Sequence, residues 1–248
     1  MMEIWYSEKG KPYPENEPSY YNIKDFPQLI EIEKQWSEIS EELKSFMQEK
    51  DRSFNSNNYQ KINIEGGWKS LTFMFWGFDF SREFRKKCPI ISKNFNQIEG
   101  MVSLSFSRLL PNSSIARHRG DTNAIARCHL GIEVSHGLPE CGLRAGEEEK
   151  GWEEGKWVIF NDAKIHSAWN NTDKRRTVLI IDIIRPEFLP KKNSICARII
   201  SYQLINNNLG RKKAFPESSF FIKHILFPVL YYSMMLYRPL RNLTRKFL

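Results

Sequence analysis

Residues 117–137 read RHRGDTNAIARCHLGIEVSHG. From Ala124 to Val134 the run alternates with a period of two, which predicts a strand: Arg127 and His129 share one face, Cys128 and Leu130 the other. An arginine and a histidine pointing together into a protein interior are costly unless they meet partners there. Upstream, His118 opens what would be a His-x-Asp metal pair, but Gly120 holds the second position and Asp121 the third. The stretch carries three of the five histidines in the chain (His118, His129, His136).

On either side, short runs divided by turn residues predict further strands at Met101–Leu110, Gly142–Ala145, Lys156–Phe160, Ile165–Trp169 and Arg176–Ile184. Turn signals stand at Pro111-Asn112, Gly137-Leu138-Pro139, Asn161-Asp162 and Asn170–Asp173. Many short strands of this kind predict a sandwich or a jelly-roll barrel. Alternation puts Ser103, Ser105 and Ser107 on one face of the first strand, and Arg176, Val178, Ile180 and Asp182 on one face of the last. Ser107, Arg127, His129 and Arg176 therefore lie on polar-bearing faces. Two arginines with a hydroxyl and an imidazole suit a bound dicarboxylate, because guanidinium presents a planar fork to carboxylate. His118 and His166 fall beside turns, and imidazole is the commonest ligand of a first-row metal.

The flanks read differently. Ile23 to Met47 has helical periodicity, with Asp25 as the expected cap. An aromatic-rich strand is expected from Trp68, a short helix at Phe84–Lys93 broken by Pro89, and another helix at Ser194–Leu209. The segment Phe220–Tyr237 is apolar but interrupted by Lys223, His224 and Pro228. It is expected as a helix that lies on a membrane surface or packs on the barrel, rather than one that spans a bilayer. The 248 residues, 41% hydrophobic and 13% aromatic, are ample for a packed core. They divide into one domain over residues 1–210, with its β core at about 68–188, and a basic, apolar tail over 211–248. The net charge of +8 is concentrated late, at Lys191-Lys192, Arg198, Arg211-Lys212-Lys213, Arg238, Arg241, Arg245 and Lys246. No nucleic-acid motif accompanies it, so an anionic membrane surface is the expected partner of the tail and nucleic acid is not. Four scattered cysteines and a polar, Pro-rich beginning fit a reducing cytoplasmic setting, peripheral on the inner face of a membrane.

One resemblance gathers these residues. His118-Arg-Gly-Asp-Thr-Asn, Arg127-Cys-His129-Leu-Gly-Ile, Cys141-Gly-Leu-Arg144 and Trp152-Glu-Glu-Gly-Lys stand in the order of the aspartyl/asparaginyl β-hydroxylase family. Val158-Ile-Phe-Asn-Asp162, His166-Ser-Ala-Trp169, Arg176, Ile181-Asp182 and Arg185-Pro-Glu continue that order. The resemblance runs from Ser107 to Glu187 and includes similar bacterial lipid A hydroxylases. It implies a double-stranded β-helix and an Fe(II)- and 2-oxoglutarate-dependent oxygenase that uses O2 to hydroxylate an unactivated C–H bond. His118 and His166 would be the iron ligands, with glycine where related enzymes have a carboxylate. Ser107, Arg127, His129 and Arg176 would hold 2-oxoglutarate, and Arg144 would face the primary substrate. That substrate would be an Asp/Asn-type residue or small molecule, or a lipid acyl chain. Departures at Ala116-Arg117, Asp121, Ile125 and Ile184-Arg185 leave this set untouched.

Competing assignments follow from the residues themselves. Asp121 is expected as a turn residue rather than a third ligand, and His136 as a loop residue. His224 is expected to be interfacial or structural. Arg144 faces substrate or pairs with one of Glu147–Glu149. Trp152, Trp157 and Trp169 are expected as packing residues, Asp162 as the group that orders the loop before His166, and Glu147–Glu149 as a solvated loop. The alternative function is a catalytically silent jelly-roll binding protein attached to membranes by its tail.

Overall fold

The computed structural model describes residues 3–14, 16–56, 62–63, 66–208 and 220–246. Helices α1 (Pro27–Lys34) and α2 (Trp36–Glu49) precede three strands, β1 (Asn55–Ser56), β2 (Trp68–Phe75) and β3 (Phe78–Asp79). Helices α3 (Arg82–Lys87) and α4 (Pro89–Phe95) follow. The barrel strands come next: β4 (Met101–Leu109), β5 (Ser113–His118), β6 (Ile125–Glu133), β7 (Cys141–Ala145), β8 (Glu148–Lys150), β9 (Trp157–Phe160), β10 (His166–Asn170) and β11 (Arg176–Ile184). Helices α5 (Lys192–Asn208) and α6 (Phe227–Lys246) end the described chain.

Strands β4, β11, β6 and β9 pair in that order in one sheet, and β5, β10, β7 and β8 in the other, all antiparallel. The chain thus winds back and forth between two facing sheets, which is the double-stranded β-helix, or jelly roll. Strands β2 and β1 extend the first sheet beyond β4. Alternation along β4 explains its two sides. Leu104 and Phe106 turn outward, where Phe106 meets Phe46 of α2, Phe73 of β2 and Phe84 of α3 in an aromatic cluster. Cys128, Leu130, Leu179 and Ile181 share that outer face, so α1 to α4 cover the sheet. The facing sides hold Leu109, Ile115, Leu143, Trp152, Val158, Phe160 and Val178, and the polar residues lie among them.

Three expectations are corrected. The helix expected from Ile23 is broken. A single turn at Ile23–Asp25 is capped by the Asn22 side chain, which accepts from Lys24 N at 3.0 Å, so Asp25 is not the cap. Pro27 then opens α1, where its missing N–H costs nothing, and Gln35 separates α1 from α2. The second correction is β5. His118 ends a strand whose inward face offers one large apolar residue, Ile115, too weak a pattern to read. The third is Glu148–Lys150, which is an exposed edge strand on β7 rather than a loop; charged side chains suit such an edge. The short helix broken at Pro89 is present, with the Glu42 carboxylate of α2 accepting from Ile90 N at 2.9 Å and Ile91 N at 3.2 Å at the start of α4.

The tail helix packs on the domain. A π-helical turn at Ile222–Leu226 runs into α6, and the Tyr231 and Ser194 hydroxyls lie 2.8 Å apart. Asn193 of α5 donates to Met235 O at 3.1 Å. Among the described residues no helix is long and apolar enough to cross a membrane. The basic run Arg211-Lys212-Lys213 lies outside the described residues.

Candidate active site

The register of β5 on β10 sets His118 directly opposite His166, with ring centroids 4.1 Å apart. Each ring is oriented by its own strand. His118 Nδ1 donates to Ala116 O at 2.8 Å, and His166 Nδ1 donates to Lys164 O at 2.9 Å. A carbonyl can only accept, so both Nδ1 atoms carry the proton and both Nε2 atoms keep a lone pair. Burial pushes both imidazoles below their ordinary pKa, His166 strongly, and each stays neutral. Two neutral imidazoles with free Nε2 atoms are ready donors for a divalent metal. Among the described residues no three His, Cys, Asp or Glu side chains form a metal cluster.

A carboxylate stands nearby, and it comes from an unexpected direction. Asp162, on the loop between β9 and β10, places Oδ1 3.6 Å from His166 Nε2. Gly120 N donates to Asp162 O at 2.8 Å, and a β-carbon at Gly120 would overlap the Asp162 carboxylate. Glycine is therefore required at this position by close approach. Arg127 donates from Nη1 to Asp162 Oδ1 at 2.5 Å, and from Nε and Nη2 to the two oxygens of Asp182 at 2.8 and 3.0 Å. Burial alone would lower the Arg127 pKa, but Asp162 and Asp182 outweigh it and hold the guanidinium charged. The Arg127 fork is thus committed to two carboxylates, and it fixes Asp162.

The same cavity is lined by Trp68, Ser107, His129 and Arg176. Arg176 is 2% exposed, and its Nε and Nη1 are buried without a hydrogen-bond partner. Its guanidinium lies 4.2 Å above the Trp152 ring, and burial lowers its pKa to about 10. Both ring nitrogens of His129 are also buried and unpartnered. The ring meets Phe160 edge-on at 5.1 Å and lies parallel to Trp152 at 6.1 Å. Ser107 Oγ accepts from Trp68 Nε1 at 3.0 Å, which leaves its own proton to donate. A buried cation beside unsatisfied nitrogens and a hydroxyl is the complement of an anionic, oxygen-rich ligand.

His129 has a measurable consequence for stability. Burial, and then Arg176, push its pKa well below 6.5 in the folded protein. The unfolded chain takes up a proton as pH falls through that value and the folded one does not, so stability drops on the acid side. The limiting slope for one such group is ~1.4 kcal/mol per pH unit. His129→Gln is expected to flatten the decline by that one-proton share, read from urea denaturation between roughly pH 5 and 7. An unchanged slope would contradict a neutral buried imidazole.

The remaining candidates fall elsewhere. Arg144 pairs with Glu149 across β7 and β8, which agrees with a surface ion pair. Asp121 is no open turn. It accepts from Gln203 Nε2 of α5 at 2.7 Å, and burial raises its pKa to about 6. His136 is exposed and bonds to neighbouring Ser135, and His224 is exposed against Phe220. Trp157 packs in the outer core, whereas Trp152 and Trp68 contact the polar residues of the cavity. Trp68 and Asp182 were not singled out from sequence as site residues. Trp68 stands in an aromatic-rich strand that gives no polar signal, and Asp182 lies on the Arg176 face with no partner visible in the sequence.

The fold and the paired histidines define a jelly-roll protein with a polar interior site. The aspartyl/asparaginyl beta-hydroxylase family model matches residues 33–186, and the chain belongs to that family. An ornithine lipid ester-linked acyl 2-hydroxylase of Rhizobium tropici is 34% identical over 194 residues, covering 76% of this chain and 66% of that protein. The aspartyl/asparaginyl beta-hydroxylase of Mus musculus is 28% identical over 138 residues, covering 54% of this chain and 18% of that protein. A solved prolyl-4-hydroxylase of Pseudomonas putida has a TM-score of 0.41 at 16% identity, covering 60% of this chain and 87% of that one.

Proposed function

We propose that the chain is an Fe(II)- and 2-oxoglutarate-dependent hydroxylase. The observation that carries this reading is the unpartnered Nε and Nη1 of Arg176, with the unpartnered ring nitrogens of His129, in the cavity that also holds the His118–His166 pair. Buried donors of this kind call for an anion; Arg176 would hold one carboxylate of such a ligand, and His118 and His166 would hold a metal in the same cavity. When bound, iron and 2-oxoglutarate together supply an oxidant from O2 that hydroxylates an unactivated C–H bond, with succinate and CO2 as co-products.

The protein's own residues do the positioning. His118 and His166 offer Nε2 atoms, fixed by their Nδ1 bonds to backbone carbonyls. Arg176 and Ser107 donate to a carboxylate, Trp152 backs the guanidinium, and neutral His129 adds a donor or acceptor. Asp162, held by Arg127, presents an acceptor beside the histidines that can orient a bound water. For the primary substrate, the Rhizobium relative named as a lipid acyl hydroxylase supports an acyl chain over a peptidyl Asp or Asn.

The test is succinate formation from 2-oxoglutarate with added Fe(II). His166→Ala is expected to lower it by at least ~100-fold, in line with the loss of a ligand or its immediate support. Wild-type protein that neither binds divalent metal nor decarboxylates 2-oxoglutarate with any lipid or peptide pool would overturn the proposal.

A further inference from the structure

The helix from Phe220 to Leu240 buries one face and leaves a long apolar one in solvent. Phe221, Ile225, Val229, Tyr232, Leu236 and Leu240 follow one another at steps of four, four, three, four and four residues. That spacing lines a single side of a helix. Their exposures run from 48% to 70%. Phe220 and Tyr237 flank them, so eight of the eleven exposed large hydrophobic residues among those described belong to this one helix. A ninth, Phe80, adjoins it, because the Arg241 guanidinium lies over both Phe78 and Phe80.

The orientation is fixed from behind. Ile222 and Arg238 are buried, Met234 joins the apolar cluster formed with α5, and Asn193 receives a hydrogen bond from Arg238. Arg198 of α5 sits between the Tyr6 and Phe227 rings. The exposed stripe therefore cannot turn inward without breaking these contacts. Its charge is one-sided: residues 218–248 contain Lys223, Arg238, Arg241, Arg245 and Lys246 and no acid.

We propose that this face of α6 and its preceding turn docks the protein on an anionic lipid bilayer, lying in the plane of the interface. An apolar stripe with Lys223 exposed beside it, on a segment that holds basic residues and no acid, matches acyl chains beneath negative headgroups, and tyrosine favours that boundary. A second copy of the chain fits less well, because a two-fold pairing of this face would bring together two basic segments with no acid to offset them. The helix is too polar to span, so it lies on the surface. On the other side, α5 reaches the loop after His118 through Gln203 and Asp121, which ties the docked helix pair to the end of β5.

The experiment is co-flotation of the full chain with vesicles of phosphatidylcholine, alone or mixed with phosphatidylglycerol. Binding is expected to the mixed vesicles, to weaken with salt, and to fall at least ~10-fold in the double variant Val229→Glu, Leu236→Glu. Both positions are exposed, and an unchanged melting temperature verifies the fold. Independently, Ser233→Cys places an exposed thiol on the stripe, while the four native cysteines are buried. An environment-sensitive dye there is expected to shift to the blue on the anionic vesicles. No flotation, equal flotation with neutral vesicles, undiminished flotation of the double variant, or an unshifted dye would each overturn the proposal. A dimer that the double variant dissociates, without vesicle binding, would assign the face to self-association instead.

Discussion

Arg176→Met is expected to yield a protein that melts higher and no longer turns over 2-oxoglutarate. The two effects share one cause. In the ligand-free protein Arg176 is a cation taken out of water, with Nε and Nη1 unpartnered. The Trp152 face and the Cys141 sulfur offset only part of that desolvation. Replacing Arg176 with an apolar side chain of similar length removes that desolvation cost; buried ion pairs replaced in this way are often neutral or stabilising by about 1–4 kcal/mol, and a lone cation has less attraction to lose. For a chain of this size that corresponds to a rise of several degrees, at about 2–4 °C per kcal/mol. The proposed ligand would lose its charge-assisted hydrogen bonds, each worth about 1.5–3 kcal/mol, so affinity should fall by ~100-fold or more. Arg176→Lys keeps the charge but not the fork, and is expected to fall between the two. Calorimetry and succinate assays together check this. A lower melting temperature with unaltered turnover would make Arg176 a structural residue.

Supplying a carboxylate at position 120, where the chain has glycine, is expected to damage the protein. The space is already filled: a β-carbon there meets Asp162, whose carboxylate also holds Arg127. Gly120→Ala and Gly120→Asp should both expel Asp162 and strip Arg127 of one partner. Overpacking costs about 1–3 kcal/mol, and breaking one side of a buried ion pair about 3–5 kcal/mol. Turnover is expected to fall by ~100-fold, as for loss of an outer-shell partner. Removing the obstruction in the double variant Gly120→Asp, Asp162→Gly should recover part of both stability and activity. Raised turnover in Gly120→Asp alone would mean that Asp162 does not occupy this space.

These two positions mark what a linear reading can deliver. The inward faces of β4, β6 and β11 were legible because each is long and alternates cleanly, and Ser107, Arg127, His129 and Arg176 all line the cavity. The strand that carries His118 was not, since Ser113-Ser114-Ile115-Ala116 gives no hydrophobic rhythm. Pairing is the deeper gap. Spacing around His118 reveals that glycine stands two residues on, but only the His118–His166 register brings Asp162 into the space beside it. Likewise, alternation sets Arg127 on the His129 face and Asp182 on the Arg176 face, yet their direct apposition across β6 and β11 comes from the ladder. For the tail, apolar and basic character were legible together; the side that faces water was decided by packing against α5.

The carbonyl bonds of the two histidines carry one more consequence. Ala116 and Lys164 each lie two residues before the ring they hold, on the same stretch of backbone. Folding alone sets both rings, and no incoming group has to order them. A guest therefore meets a rigid receptacle and gives up little of its affinity to rearrangement. Calorimetric titration with a divalent cation should accordingly show a heat-capacity change too small for coupled folding.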